Sequence, residues 1–381
     1  MHRRTQRSSS CPTISRKSAR LTLGETQVQP PTPMNKASFL LEKIVDNLSS
    51  VIAEFQQGIC TSGFKDGDLA ARNGHMHIAR HVAVIFSEQA MVLAAAHGHL
   101  EMVVFLHENR EEGTTEEAMD LAATFGHLEV VSWLHMNRRE GCTTLAMDGA
   151  ARNAHIHVLE FLHKNRCEGA TVAAINGAAT NGHIEVVQWL TMNVPDLGAT
   201  TAAMDGAAAA GHLEVVKFLH ELRREGCTTD AMDWAARKGH LEIVKYLHEN
   251  RQEGCTKAAM DNAASGGHLD ILDFLASNRD EGCTSYAMIL AAWHGNLEIV
   301  KWLHVNRKEG CTTSAMNGAA YNGHLEVVKW LHENRTEGCT TCAMDVSALH
   351  GYLGVIQWLH SNRSEGCTTN AMDWAAKEGR M

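Results

Sequence analysis

A marker residue returns every 28 positions along most of this chain. It is His99, His127, His155, His183, His212, His240, His268 and His324, with Asn296 and Tyr352 filling the two remaining positions; the step from His183 to His212 alone is 29 residues. Self-similarity at a period of this size means stacked supersecondary units, because one such unit cannot bury its own apolar face and must lend it to a neighbour.

The unit is clearest at Gly226–Glu253, GCTTDAMDWAARKGHLEIVKYLHENRQE. It predicts two short helices. Thr228 and Thr229 are candidates to cap the first, and Asp233 suits its positive end. Ala231, Met232, Ala235 and Ala236 are spaced for one apolar face, and the Ala-Ala pair leaves room for a close helix neighbour. Gly239 is the expected stop. His240 opens the second helix, with Leu241, Val244 and Leu247 inward, Glu242, Lys245 and Glu249 outward, and Gly254 as its end.

The run A-A-x-x-G-H-L-E-V-V-K-W-L at Ala319–Leu331, nearly intact at Ala235–Leu247, resembles the ankyrin repeat. The resemblance covers roughly residues 66 to 381. It implies an all-α, ankyrin-like solenoid of stacked helix–turn–helix units. Two departures matter. Where that family carries T-P-L-H-x-A, this chain reads A-M-D-x-A-A, with Met for Leu and Asp for His. The unit is also five residues shorter, and the loss falls where the family projects a β-hairpin finger. A tight turn at N-R-x-E-G-C-T is therefore expected, with shortened or absent fingers.

Three segments follow: a basic Ser/Pro-rich tail over residues 1–35, a helix over 36–60, and the array over 61–381. Arg3, Arg4, Arg7, Arg16, Lys17 and Arg20 all precede the first acidic residue, Glu25. That composition suits a disordered tail; a mitochondrial- or plastid-type targeting segment and a phosphorylated or nuclear-targeting tail are the alternatives. Phe39, Leu40, Ile44, Leu48, Ile52 and Phe55 predict an amphipathic helix that either caps the first repeat or recruits a second partner. The interval from His75 to His99 is only 24 residues, as befits an atypical end repeat. Pro195, inside the one-residue insertion, is expected to bend the stack or divide it. At the far end Ala371–Gly379 completes a first helix only, so a monomer is expected unless that end face pairs.

The net charge of −10 does not suit a nucleic-acid binder, and no apolar run reaches the length of a membrane span. Seven of the 11 cysteines, Cys142, Cys227, Cys255, Cys283, Cys311, Cys339 and Cys367, share one column. Neighbouring units stack about 8–10 Å apart, beyond the ~7 Å Cα separation a disulfide tolerates. The column is read as small buried residues, like the aligned Thr114, Ala170 and Ala199. Free thiols favour a cytoplasmic or nuclear location.

Sixteen of the 24 histidines fall in two columns, the marker and His107, His135, His163, His220, His248, His304, His332 and His360. Within a unit they are about 12 Å apart along a helix, too far to share a metal ion with ~2.1 Å bonds. They are read as structural, as is the aromatic column Phe105, Trp133, Phe161, Trp189, Phe218, Tyr246, Phe274, Trp302, Trp330 and Trp358. Turn pairs such as Arg251 with Glu253 are expected to form a charge ladder along the stack. No motif for an enzyme, metal or cofactor appears.

Columns that vary between repeats are free to meet a partner. The two residues before each Gly-His step vary most, together with aromatics on the first helix. The candidate partner-binding residues are Phe125, Arg152, Asn153, Trp234, Arg237, Lys238, Tyr286, Trp293, His294, Tyr321, Asn322 and His350. The resemblance places them on the concave face that binds protein partners. The expected function is a non-catalytic scaffold or adaptor for a protein of unknown identity. The alternative is a substrate-receptor or regulatory subunit that recruits an enzyme through its N-terminal segment.

Overall fold

The computed structural model describes residues 66–81, 84–109 and 115–380, so the tail, the 36–60 helix and Thr114 lie outside the described residues. The array clusters into two compact units. One contains Ala150 and the residues before it, with His155–Ala170; the other contains Ala151–Ala154 and Thr171 onward. The division falls ahead of Pro195, which lies within the second unit.

Each repeat is a pair of antiparallel helices, such as Thr229–Lys238 and Leu241–Asn250. Among the described residues the only β pairing is an isolated parallel bridge from Asp66 to Ile85, so the fingers are absent there. Within each unit the first helix of a repeat packs on the first helices of its neighbours. The reason is legible in the side chains: Ala231, Met232, Ala235 and Ala236 are at most 1% exposed, and the two alanines let the next backbone approach. In the second helix Ile243, Val244 and Leu247 are buried. Leu241, expected inside, is only half-buried, and Ile243 takes its place.

The caps sharpen the reading. Thr228, not Thr229, is the N-cap, and its hydroxyl accepts from Asp230 N–H at 3.1 Å. His240 is the residue before the second helix rather than within it. Gly254 does not end that helix; Arg251 does, in extended conformation, and Gly254 shapes the following turn with φ +73°.

Asp233 has a different task from the expected one. It is 4% exposed. Thr256 of the next repeat donates to it twice, from N–H at 2.9 Å and from Oγ1 at 2.6 Å. The same clasp joins Asp120 to Thr143, Asp205 to Thr228, Asp261 to Thr284 and Asp345 to Thr368. Asn176 and Asn317 replace the carboxylate and donate from Nδ2 to the hydroxyls of Thr200 and Thr340. In the short first repeat Ser87 donates to Asp68 in the same way. The residue that departs from the family motif is thus the one that fixes register between repeats.

Ile289 occupies the clasp position opposite Thr312 and has no acceptor to offer. Ile289→Asp restores two hydrogen bonds worth roughly 1 kcal/mol each and gives up about 1 kcal/mol of half-buried apolar surface. The expected net gain, about 1 kcal/mol, is measurable as a higher denaturant midpoint at unchanged slope.

The glycine of one marker step lies against the marker residue of the next repeat. Gly239 caps its helix at φ +84°, a conformation that favours glycine. A Cβ there would also lie 2.5 Å from the His268 ring of the next repeat. That ring is anchored through Nε2 to the Arg237 carbonyl at 3.1 Å. His99 and His127 reach the carbonyls of Arg72 and Ala96 in the same manner, and Asn296 donates to Ala264 O.

Candidate functional site

The second histidine column, the aromatic column and the turn arginines form one recurring joint. His107, His135, His220, His248, His304 and His332 each meet the aromatic residue of the next repeat edge-on, with centroids 5.1 to 5.8 Å apart. Arg138, Arg251, Arg335 and Arg363 reach back to Nδ1 of His107, His220, His304 and His332. The charge ladder takes a different form from the expected one. Each arginine pairs with the glutamate two residues on in its own turn, as Arg251 does with Glu253; for Arg138, Arg251, Arg335 and Arg363 the link to the preceding repeat runs to histidine, and Arg251 also lies beside Cys227 of its own repeat.

The cysteines among the described residues are free thiols. Burial, with Glu253 nearby, pushes the Cys227 thiol up to about 11, and burial with Glu281 nearby does the same for Cys255. Cys311 is half-buried and Cys367 exposed, so the column is not uniformly inside. Among the described residues no group of three or more His, Cys, Asp and Glu is placed to hold a metal ion.

At the insertion, Leu197 is buried while Pro195 and Leu222 are exposed beside an open cavity of about 490 Å³. The next turn rebuilds the missing Arg–Glu pair: Arg223 donates to Leu197 O at 2.9 Å and to Glu225 at 2.8 Å, and Glu225 accepts from Ala199 N–H at 3.0 Å. Arg223 and Glu225 are committed to closing the turn.

The variable residues sort into three sets. In the first unit Phe125 is exposed, 54%. Its neighbour Thr124 packs against Gly149 of the next repeat. In the second unit Arg152 is exposed but lies along Gly177, its carbonyl accepting from Asn181 Nδ2 at 2.8 Å; Asn153 beside it is exposed. Trp234, Arg237 and Lys238 form a cationic end, with the Arg237 guanidinium 5.3 Å from the Trp234 ring centroid; all three are exposed.

The third set converges. Trp293 and Tyr321, one repeat apart, stack with centroids 4.9 Å apart and planes 20° from parallel. His350 of the following repeat meets Tyr321 edge-on at 4.6 Å and lies 5.8 Å from Tyr352. Asn322 Nδ2 donates to the Trp293 carbonyl at 3.0 Å. Trp293 is 39% exposed and Tyr286, nearer the start of the same helix, 62%; His294 is exposed as well. Tyr321, Asn322 and His350, expected at the surface, are half-buried because each leans on its neighbour.

Two contributors were not among the expected residues. Tyr352 extends the ribbon from the marker column, where it is the one aromatic carbocycle among histidines and an asparagine. Gly318 makes room for the indole: a Cβ there would lie 2.7 Å from Trp293 Cε3. Thr124 with Gly149 and Thr180 with Gly206 repeat that pairing, so a glycine three places ahead of the variable position in the next repeat is the available signal.

Among the described residues no helix is long and apolar enough to cross a membrane. The family model described as ankyrin repeats (3 copies) matches residues 175–284, 234–313 and 288–373, and the model described as ankyrin repeats (many copies) matches residues 91–135. No curated protein matches the chain.

Proposed function

Because this chain belongs to the ankyrin repeat family, whose repeats serve protein–protein interaction and are typically non-catalytic, we propose that it is a scaffold or adaptor that holds one protein partner on the first-helix face of its second unit. The observation that carries the reading is the aromatic ribbon from Trp293 through Tyr321 and His350 to Tyr352. Trp293, Tyr321 and His350 occupy the columns that differ from repeat to repeat, so the stack does not require them. Exposed Trp and Tyr that are already ordered by their neighbours are the usual anchors of an interface, because little side-chain entropy remains to be lost on binding. The free cysteines support a reducing compartment such as the cytosol or nucleus.

The test uses the full chain as bait in its native extract. Tyr286→Ala and Trp293→Ala should each reduce capture of the specific partner about tenfold or more, a loss of ~1.4 kcal/mol, while the thermal midpoint moves little for the exposed Tyr286. A partner held equally well by both variants would place recognition elsewhere.

A further inference from the structure

Resting on the reading above, we infer that the partner presents an extended, uncharged, proline-containing segment to the ribbon, with an acidic residue about six or seven positions away, and that Arg237 and Lys238 receive that acid. Residues 284–296, 312–324 and 340–352 carry a single Asp, Glu, Lys or Arg among them, Asp345. That carboxylate is buried and accepts from Thr368. The ribbon therefore offers rings, hydroxyls and amides, with no exposed carboxylate to receive a cation. A lysine- or arginine-rich segment would find no counter-charge there, and the chain's net charge of −10 disfavours a nucleic acid.

Proline fits because its ring packs on aromatic faces and its polyproline conformation is set before binding. The Asn322 amide beside the ribbon donates from Nδ2 to the Trp293 and Gly318 carbonyls, so Oδ1 is the atom it can offer to a backbone N–H of the segment.

The charge lies to one side. The first helices at residues 229–238 and 257–266 expose Arg237, Lys238 and Lys257 against Asp230. Between this cationic end and Trp293 the variable pair is Ser265-Gly266, which leaves a shallow step rather than a barrier. First helices follow one another about 10 Å apart, so Arg237 and Trp293, two repeats apart, are roughly 20 Å distant. At about 3.1 Å per residue of extended polyproline chain, that span takes six or seven residues.

The experiment has two arms on the full chain. In the first, random peptide display is panned against the wild type. In the second, fluorescein-labelled peptides carrying Asp-Glu at one end and Pro-Pro-Leu-Pro about six residues away are titrated by anisotropy. The expected result is enrichment of proline-containing, acid-flanked peptides. Affinity should fall at least tenfold with Trp293→Ala. Lys238→Glu, at an exposed site, should weaken the acid-flanked peptide about fivefold and leave its acid-free counterpart unchanged. Enrichment of basic or proline-free peptides whose binding still needs Trp293 would overturn the chemistry and leave the binding face standing. Peptides indifferent to Trp293→Ala would overturn both. Failure to enrich any peptide would overturn the extended segment in favour of a folded partner surface.

Discussion

Asp233→Ala should weaken the array by about 3 kcal/mol, concentrated at one junction. The carboxylate is buried and takes both the N–H and the hydroxyl of Thr256. Alanine removes two charge-assisted hydrogen bonds and leaves two donors without their acceptor, at roughly 1–3 kcal/mol for each group left unpaired in protein surroundings. Water reaches Thr256 from its exposed side and recovers part of the loss, which keeps the figure near the middle of the range. Asp233→Asn should cost much less, under about 1 kcal/mol, because Asn317 already performs this task with Thr340: Nδ2 donates to the Thr hydroxyl at 2.9 Å and Oδ1 accepts from Thr N–H at 3.0 Å. Amide exchange resolves the effect by position. In a stack whose stability is a sum over repeats and junctions, exchange should quicken at Thr256 and across residues 229–266 before it does at residues 313–350. Equal losses for Ala and Asn, or exchange that quickens uniformly, would mean the clasp does not hold register.

The contrast between Asp233 and Gly239 shows what a repetitive sequence discloses. The glycine's helix stop is readable because its cause lies within one unit: a left-handed φ after a run of helical spacing. The Asp clasp is not, because its partner lies 23 residues away in the next repeat, and a single unit shows only an acidic residue near a helix start. The same holds for the turn. Arg251 and Glu253 are legible as a pair, but the path from Arg251 to His220 crosses a junction whose geometry the period alone does not specify. Gly254 misleads because a glycine after a helix reads as its stop, whereas Arg251 leaves the helix three residues earlier. At the candidate site, variation between repeats points to Trp293, Tyr321 and His350 individually. Their contact is not legible, since stacking depends on Gly318 clearing space for an indole from the preceding repeat. Half-burial of Tyr321 and His350 follows from that contact and makes the ribbon a rigid surface rather than a row of separate side chains.

Stability should fall in two stages as the solution is acidified. The first belongs to histidine. Burial lowers the pKa of His75, His127, His135 and His240 below the ordinary value of 6.5. A group whose folded pKa is depressed favours its deprotonated form in the fold. These rings therefore contribute stability that is complete above about pH 6.5 and is lost as pH falls through their lowered folded values. The second stage belongs to the turns. At Glu309 and Glu337 burial works against ionisation. The hydrogen bonds from Arg307 and Arg335, the local backbone N–H groups and the guanidinium charge outweigh it, and both carboxyls are held at about 2. Their contribution is complete above about pH 4.5 and disappears on the way down to about 2. Asp120, Asp205 and Asp233 run the other way: burial raises them despite their threonine bonds, so their protonation favours the fold near pH ~4 and blunts the start of the second stage. Thermal midpoints from about pH 7 to pH 3 should therefore begin to decline below about 6.5 and decline again below about 4.5. His240→Gln should shrink the upper decline. Glu309→Gln with Glu337→Gln should lower the midpoint at neutral pH and flatten the lower decline, because the variant has less left to lose. A midpoint that stays level from about pH 7 to 5, or a lower decline of undiminished size in the double variant, would show that these groups do not couple protons to the stack.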